Sequence, residues 1–340
     1  MSASQPKISV FGAGSIGCYV GGRLAAAGAD VSFVGRERLA TEIAKHGLLL
    51  TDYRGADLRI SSGDVDYRTD PAGTADAGLI LVTVKSGATA EAGKTLAGLA
   101  RPDAVIVSFQ NGVGNAEILR EAVPGRNVLA GMVPFNVIRR GPGHFHQGTE
   151  GALDVQKDEA LAPFLQAFGQ AGLPLHQHAD LAPVQWAKLL LNLNNAVNAL
   201  SGQPLKAELS QRDYRRCLAL AQQEALDVLG DAVIRPAKLT PLPPSWLPFV
   251  LRLPDALFRI IAGRMLAMDP LARSSMLDDL DAGRATEVDW LNGEIVRLAG
   301  SGSPAARVNA RLVELVHAAE QGGRRNWPGD ALLERLQSPR

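Results

Sequence analysis

The run Lys7-Ile8-Ser9-Val10-Phe11-Gly12-Ala13-Gly14-Ser15-Ile16-Gly17 sets the architecture of the chain. A short apolar segment ends at Gly12. A helix-like segment over 15–27 follows and stops at Gly28, ahead of a second apolar run, Val31-Ser32-Phe33-Val34. Gly12 to Gly17 therefore matches G-x-G-x-x-G in the strand, turn and helix context that gives the motif meaning. The first glycine serves the tight turn, the second lets the backbone approach a pyrophosphate, and the third lets the helix pack closely on the sheet. Gly12, Ala13, Gly14, Ser15, Ile16 and Gly17 are thus expected to line a dinucleotide site, with the N–H groups and positive dipole end of the helix facing the phosphates. The competing reading is a glycine turn in a non-binding α/β protein.

Further along, Leu79-Ile80-Leu81-Val82-Thr83-Val84 and Ala104-Val105-Ile106-Val107-Ser108 are continuous apolar runs rich in β-branched residues, separated by a helical stretch over 89–99. Such runs belong to central parallel strands covered on both faces. The pattern predicts an α/β fold with an N-terminal Rossmann-type doubly wound sheet. Shorter candidates at 127–137, 143–147 and 152–155 read as antiparallel additions at the sheet edge. After residue 180, helical periodicity takes over. The expected organisation is a nucleotide-binding domain over 1–179, an all-helical domain over 180–325, and a polar, fraying tail over 326–340. The proline-rich stretch 241–254 is expected to be an extended connection.

With 35 Lys+Arg and 35 Asp+Glu in 340 residues, the chain carries no net charge. That gives no support to nucleic-acid binding, which favours a basic excess. Two cysteines, Cys18 and Cys217, are too few for a disulfide framework or a cysteine-rich zinc site. The start of the chain lacks the pattern of a signal peptide, and no run of about 18 uncharged apolar residues occurs. A cytoplasmic protein without a membrane span is expected.

The residue following the second strand selects the nicotinamide cofactor. An acid there would bind the ribose 2′-hydroxyl, but this chain has Gly35-Arg36-Glu37-Arg38. Arg36 is placed to meet a 2′-phosphate with paired hydrogen bonds, which favours NADP. Asp30 lies at the wrong end of the strand, and Glu37 is the competing ribose ligand. Lys85 and Asn111 follow the third and fourth strands and fall on the same edge, as cofactor contacts or as a surface charge and a turn residue.

In the helical half, Lys188, Asn192 and Asn195 are spaced by four and three and share one face of a helix expected over 180–200. A lysine and two amides in an otherwise apolar helix point to a site, against the alternative of a solvated polar face. Glu287 borders the apolar stripe Val288, Leu291, Ile295 and Leu298, either reaching toward a cleft or serving the helix dipole. The pairs His144/His146 and His176/His178 each share one face of a possible strand, but no acid is evidently paired with them, and no metal site is expected.

Taken together, Gly12-Ala13-Gly14-Ser15-Ile16-Gly17, Val82-Thr83-Val84-Lys85, Gln110-Asn111-Gly112-Val113-Gly114, Trp186-Ala187-Lys188-Leu189, Ser274-Ser275-Met276 and Thr286-Glu287-Val288-Asp289-Trp290-Leu291-Asn292-Gly293 resemble the ketopantoate reductase (2-dehydropantoate 2-reductase) family, in order and spacing. The resemblance implies NADPH-dependent reduction of 2-dehydropantoate to pantoate, a step of pantothenate synthesis, in a cleft between the two domains. It places the catalytic lysine on Lys188 and the acidic site residue on Glu287. It puts the cofactor lysine and asparagine on Lys85 and Asn111. Substrate contacts fall on Asn111, Asn192 and Ser275. Two positions depart from the family: Ala196 stands two turns after the lysine where an asparagine is usual, and Ala272 stands three before Ser275. An extra segment spans 241–270, and its part over 255–268 reads as a helix over the cleft or at a homodimer contact. Another NADPH-dependent reductase of a 2-oxoacid or carbonyl compound, and a non-catalytic NADP sensor, are the alternatives.

Overall fold

The computed structural model describes residues 6–261, 263 and 270–338. The chain divides into two compact units, Met1–Leu181 and Ala182–Arg340. The first runs β1 (Ile8–Phe11), α1 (Ser15–Ala26), β2 (Val31–Val34), α2 (Glu37–His46), β3 (Leu48–Asp52), β4 (Asp57–Ile60), β5 (Asp66–Arg68), β6 (Leu79–Val82), α3 (Thr89–Leu99), β7 (Val105–Ser108), α4 (Asn115–Ala122), β8 (Asn127–Met132), β9 (Val137–Gly141), β10 (His144–Gln147), β11 (Leu153–Gln156), α5 (Ala162–Gln170) and β12 (Leu175–His178).

Eight strands form the main sheet in the order β12-β11-β8-β7-β6-β1-β2-β5. Strands β1, β2, β6 and β7 are buried at every position, as their unbroken apolar runs require. From β5 across to β8 all pairings are parallel. The order reverses between β1 and β6, and the crevice outside the carboxyl ends of the strands at such a reversal is the usual ligand position.

The short strands differ from the sequence expectation. Only β11 adds to the main sheet in antiparallel sense, on β8. Strand β8 itself runs parallel to β7. Strands β9 and β10 leave the main sheet and join β3 and β4 in a second, four-stranded sheet, with β10 parallel to β3. The reason lies in α1, where Cys18, Tyr19, Val20 and Leu24 are all fully buried. A helix apolar all round needs cover on both sides. The second sheet supplies the outer cover, and Tyr19 ties it down by donating from its hydroxyl to Gln147 Oε1 at 2.9 Å.

The second unit runs α6 (Ala182–Asn192), α7 (Asn194–Ser201), α8 (Leu205–Leu209), α9 (Arg212–Asp231), α10 (Leu247–Leu251), α11 (Asp255–Ile261), α12 (Ser275–Asp281), α13 (Asn292–Ala299), α14 (Arg307–Glu320) and α15 (Gly329–Gln337). Its described residues include no strand. The single helix expected over 180–200 is divided at Leu193. The stripe beginning at Val288 is a 3-10 turn, Val288–Trp290, followed by α13, yet Val288, Leu291 and Ile295 are buried as the pattern demands.

Two further expectations are corrected. The proline-rich stretch contains a 3-10 turn, Pro244–Trp246, and then α10, because proline is accepted in the first turn of a helix, where its missing N–H costs no bond. The tail over 326–340 carries α15, whose Leu332, Leu333 and Leu336 are buried in the core of the unit. Three buried leucines contribute about 1.5–3 kcal/mol each, enough to hold a helix that is polar on its other face. Part of the segment 255–268 lies outside the described residues.

Candidate active site

At the end of β1 the chain turns at Gly12, with φ +90. A Cβ built there would fall 2.4 Å from Val84 Cγ1 and 2.6 Å from Val84 N, so no other residue is tolerated. Gly17 is equally confined: its Cβ would lie 2.5 Å from Thr83 Oγ1 and 2.7 Å from Val10 Cγ1. The loop is held from behind. Thr83 Oγ1 donates to Gly12 O at 2.9 Å, and Tyr67 OH donates to Ala13 O at 2.9 Å. Burial pushes the Tyr67 phenol above its ordinary pKa, so it remains a donor.

Gly14 occupies the N-cap of α1 with no side-chain hydrogen bond, and the first turn holds no acid. The first-turn N–H groups of α1 have no partner within the helix. A Cβ on Gly14 would meet nothing closer than Gly12 O at 3.8 Å, so the space above this helix end is open. Uncapped donors beneath open space, with no carboxylate to repel an anion, fit a dinucleotide pyrophosphate.

The remaining first-unit residues follow the carboxyl ends of neighbouring strands. Arg36 is the exposed N-cap of α2, just beyond β2, and Glu37 is exposed beside it. Lys85 is exposed at the N-cap of the 3-10 turn Ser86–Ala88, and Asn111 is half-buried after β7. A buried polar network, which the sequence reading missed, fixes these two loops. Asn115 Nδ2 donates to Asn111 O at 2.8 Å and to Ser86 Oγ at 3.2 Å, Thr89 Oγ1 to Asn115 Oδ1 at 2.8 Å, and Gln110 Nε2 to Thr89 Oγ1 at 2.7 Å. Nothing in local periodicity marks such residues, because each is polar by type and buried only through its partners.

The histidines make ordinary partners. Thr51 Oγ1 lies 2.8 Å from both His144 Nε2 and His146 Nδ1. His178 Nε2 meets Asp154 Oδ1 at 2.6 Å, an acid partner across the β11–β12 pair that the sequence did not reveal. No group of three metal-binding side chains occurs among the described residues. Cys18 is buried in α1, which raises its thiol well above the ordinary range, in keeping with packing.

In the second unit, Lys188 and Asn192 sit on α6, one turn apart and half-buried. Burial pulls the Lys188 ammonium down from 10.5 to about 8. Asn195 follows on α7 at the spacing expected, whereas Ala196 points into the core. The polar work of α7 falls on Asn198, fully buried, which the sequence reading did not single out. Its Nδ2 donates to Gln203 O at 2.8 Å and to Glu208 Oε2 at 2.5 Å, and its Oδ1 accepts from Ser274 N at 3.0 Å. Burial raises the Glu208 carboxyl to about 8, against smaller lowering by Asn198 and Asn194.

The bond from Ser274 draws the start of α12 against α7. Ser274 caps α12 through its hydroxyl, and Ser275 is the exposed first residue of that helix. Glu287 is half-buried at the N-cap of the turn Val288–Trp290. The run of asparagines 192, 194, 195 and 198 in an apolar helix was the available signal for this cluster. No helix among the described residues is long and apolar enough to cross a membrane.

Comparison with known proteins adds an independent line. Residues 8–159 match the family model of ketopantoate reductase PanE/ApbA, and residues 180–320 match that family's C-terminal model. The 2-dehydropantoate 2-reductase of Halobacterium salinarum is 29% identical over 332 residues, covering 93% of this chain and 100% of its own. That of Pyrococcus horikoshii is 27% identical, over 93% of this chain and 98% of its own. Among solved structures, a PanE/ApbA family ketopantoate reductase from Ralstonia eutropha superposes with a TM-score of 0.78 at 29% identity, covering 93% and 99% of the two chains. D-mandelate dehydrogenase, solved with NADH and anilino(oxo)acetate, shares the fold with a TM-score of 0.73 at 21% identity, over 93% and 99%.

Proposed function

This chain belongs to the ketopantoate reductase family, and on that premise we propose that it reduces 2-dehydropantoate or a related 2-oxoacid to the 2-hydroxyacid with NADPH, as a step of pantothenate synthesis in the first case. When bound, the nicotinamide supplies the hydride to C2. The chain's own residues supply the rest. The uncapped N-terminus of α1 holds the pyrophosphate, and Arg36 favours a 2′-phosphate over a bare ribose hydroxyl, with Lys85 and Asn111 on the same edge.

As negative charge gathers on the carbonyl oxygen, Lys188 stabilises it and donates the proton that completes the alcohol. An unperturbed lysine is too weak an acid for this near neutrality, whereas an ammonium at about 8 is well matched. A half-buried lysine on the apolar helix α6, within the stretch that matches the family's C-terminal model, is the observation that carries the reading. Asn192 orients the lysine or the oxyanion, Ser275 receives the carboxylate, and Glu287 accepts a hydrogen bond from a substrate hydroxyl. Ala272, where an asparagine is frequent in the family, favours the second member of the pair, a 2-oxoacid other than 2-dehydropantoate.

Lys188→Ala tests the assignment. Steady-state turnover should fall on the order of 10²- to 10⁴-fold while NADPH binding, followed by fluorescence, is retained. In the unaltered enzyme, activity that needs the ammonium should decline as pH rises through about 8, rather than near 10.5. Near-normal turnover in the variant would reject the role.

A further inference from the structure

The extra segment is clamped to α9 by one side chain. Arg215 is fully buried, and its guanidinium donates to Leu209 O at 3.1 Å, Leu251 O at 3.2 Å, Leu253 O at 2.9 Å and Asp255 Oδ1 at 2.8 Å. It also lies 4.1 Å from the centre of the Phe258 ring. Burying a charge is tolerable only with such complete satisfaction, so α10 and α11 are held firmly on α9. Leu247, Val250 and Leu251 complete the buried face of α10.

The outward face of the same segment is also apolar. Trp246 and Phe249 stand three residues apart where the 3-10 turn passes into α10, and Leu257, Ile260 and Ile261 recur at the spacing of one face of α11. Their exposures run from 49% at Leu257 to 79% at Ile260. Of the nine large apolar side chains exposed among the described residues, eight lie between residues 233 and 271. Single exposed apolar residues scattered over a surface are ordinary, whereas their gathering on one segment marks an interaction surface.

The charge of the segment shows what it meets. Residues 233–261 carry Arg235, Lys238, Arg252 and Arg259 against one acid, Asp255, in a chain whose net charge is zero. All four cations are exposed, while Asp255 is already paired with Arg215. Two copies of the chain meeting through this face about a two-fold axis would set like charges against like. An anionic surface meets the same cations favourably. Tryptophan, phenylalanine, leucine and isoleucine beside arginine and lysine are the composition of a segment that lies in the headgroup region of a bilayer.

The geometry points to a peripheral lipid-binding surface. The turn Pro244–Trp246, α10 and α11 rest on an anionic bilayer, with their outward apolar side chains at the acyl boundary and the cations among the phosphate headgroups. The chain lies on the bilayer and does not cross it; no helix among the described residues is long and apolar enough to do so. This surface is independent of the reductase reading.

The test sediments the purified full chain with vesicles of phosphatidylcholine alone and of equimolar phosphatidylcholine and phosphatidylglycerol, at low and high salt. Binding to the mixed vesicles should exceed binding to phosphatidylcholine by at least roughly tenfold and fade as salt screens the headgroups, since each cation near an anionic surface is worth about fivefold. Phe249→Ser and Ile260→Ser should each lower the partition coefficient by at least about tenfold, the worth of one apolar side chain moved out of water. Arg252→Glu together with Arg259→Glu should abolish the preference for the anionic lipid. These four positions are exposed, and urea midpoints equal to the parent's check that the variants keep the fold. Tryptophan emission of the parent should move to shorter wavelength when mixed vesicles are added, and Trp246→Phe should lose that shift. No sedimentation with either vesicle, or equal binding to both, overturns the proposal. So does a dimer in sedimentation velocity that Ile260→Ser disperses, with no vesicle bound, which would give the face to a second copy of the chain.

Discussion

The two units prepare their functional surfaces by opposite means. The first exposes backbone: glycines at positions 12, 14 and 17 strip the β1–α1 turn of side chains, and Thr83 and Tyr67 secure its carbonyls from behind, so that N–H groups face outward. The second buries titratable side chains: Glu208 is fully buried and held by Asn198, Lys188 is half-buried, and burial moves the ionisation of both toward neutrality. Backbone donors at a helix end keep one charge state at every pH and recognise a fixed anion. Buried titratable groups are costly but adjustable, as proton transfer requires. On the function proposed above, a permanent phosphate cradle and a tuned acid are assigned to different architectures.

Substitutions can break the contrast. The largest effect is expected at Gly12→Ala. A left-handed conformation costs a non-glycine residue about 1–3 kcal/mol, and the added methyl would strike the Val84 backbone. NADPH affinity, measured by titration, should fall at least roughly a hundredfold; an unaltered affinity would show that the bare backbone is not what binds. Next in size is Arg36→Ala, which should raise KM for NADPH by about 10- to 100-fold, the worth of a charge-assisted hydrogen bond, and leave KM for NADH nearly unchanged. Equal effects on both cofactors would remove Arg36 from the 2′-phosphate.

On the other side of the contrast the effect falls on stability rather than on cofactor binding. Burial raises the folded pKa of Glu208 to about 8 from 4.5, so the folded chain keeps a proton that the unfolded chain releases. Its contribution to stability is therefore full below pH 4.5 and is lost progressively as pH rises toward 8. Glu208→Gln has no proton to lose. In urea titrations, the variant should gain stability relative to the parent between pH 5 and pH 8; parallel curves would show that Glu208 ionises freely in the fold.

The turn at Gly12 was legible because it is a local rule, in which a backbone conformation demands a residue type. Arg36, Lys85 and Asn111 were legible because parallel strands deliver the residues after them to one edge. Lys188 stood out as a charge in an apolar helix. Asn198 and Glu208 did not, because an asparagine and a glutamate near a helix end look alike whether solvated or buried, and only the approach of α12 through Ser274 decides between them.

Strand periodicity, the glycine turn and the change to helical patterning after residue 180 follow from short-range chemistry, and the amino-acid order alone determined them. The tertiary structure decided what depends on distant partners. It pairs β3 with β10 across some ninety residues to cover α1, and returns α15 to α9 to bury leucines at the end of the chain. It also closes Arg215 over the segment from Leu251 to Phe258. Each of these is settled by which apolar surface remains uncovered once the local elements have formed, and that surface exists only in three dimensions.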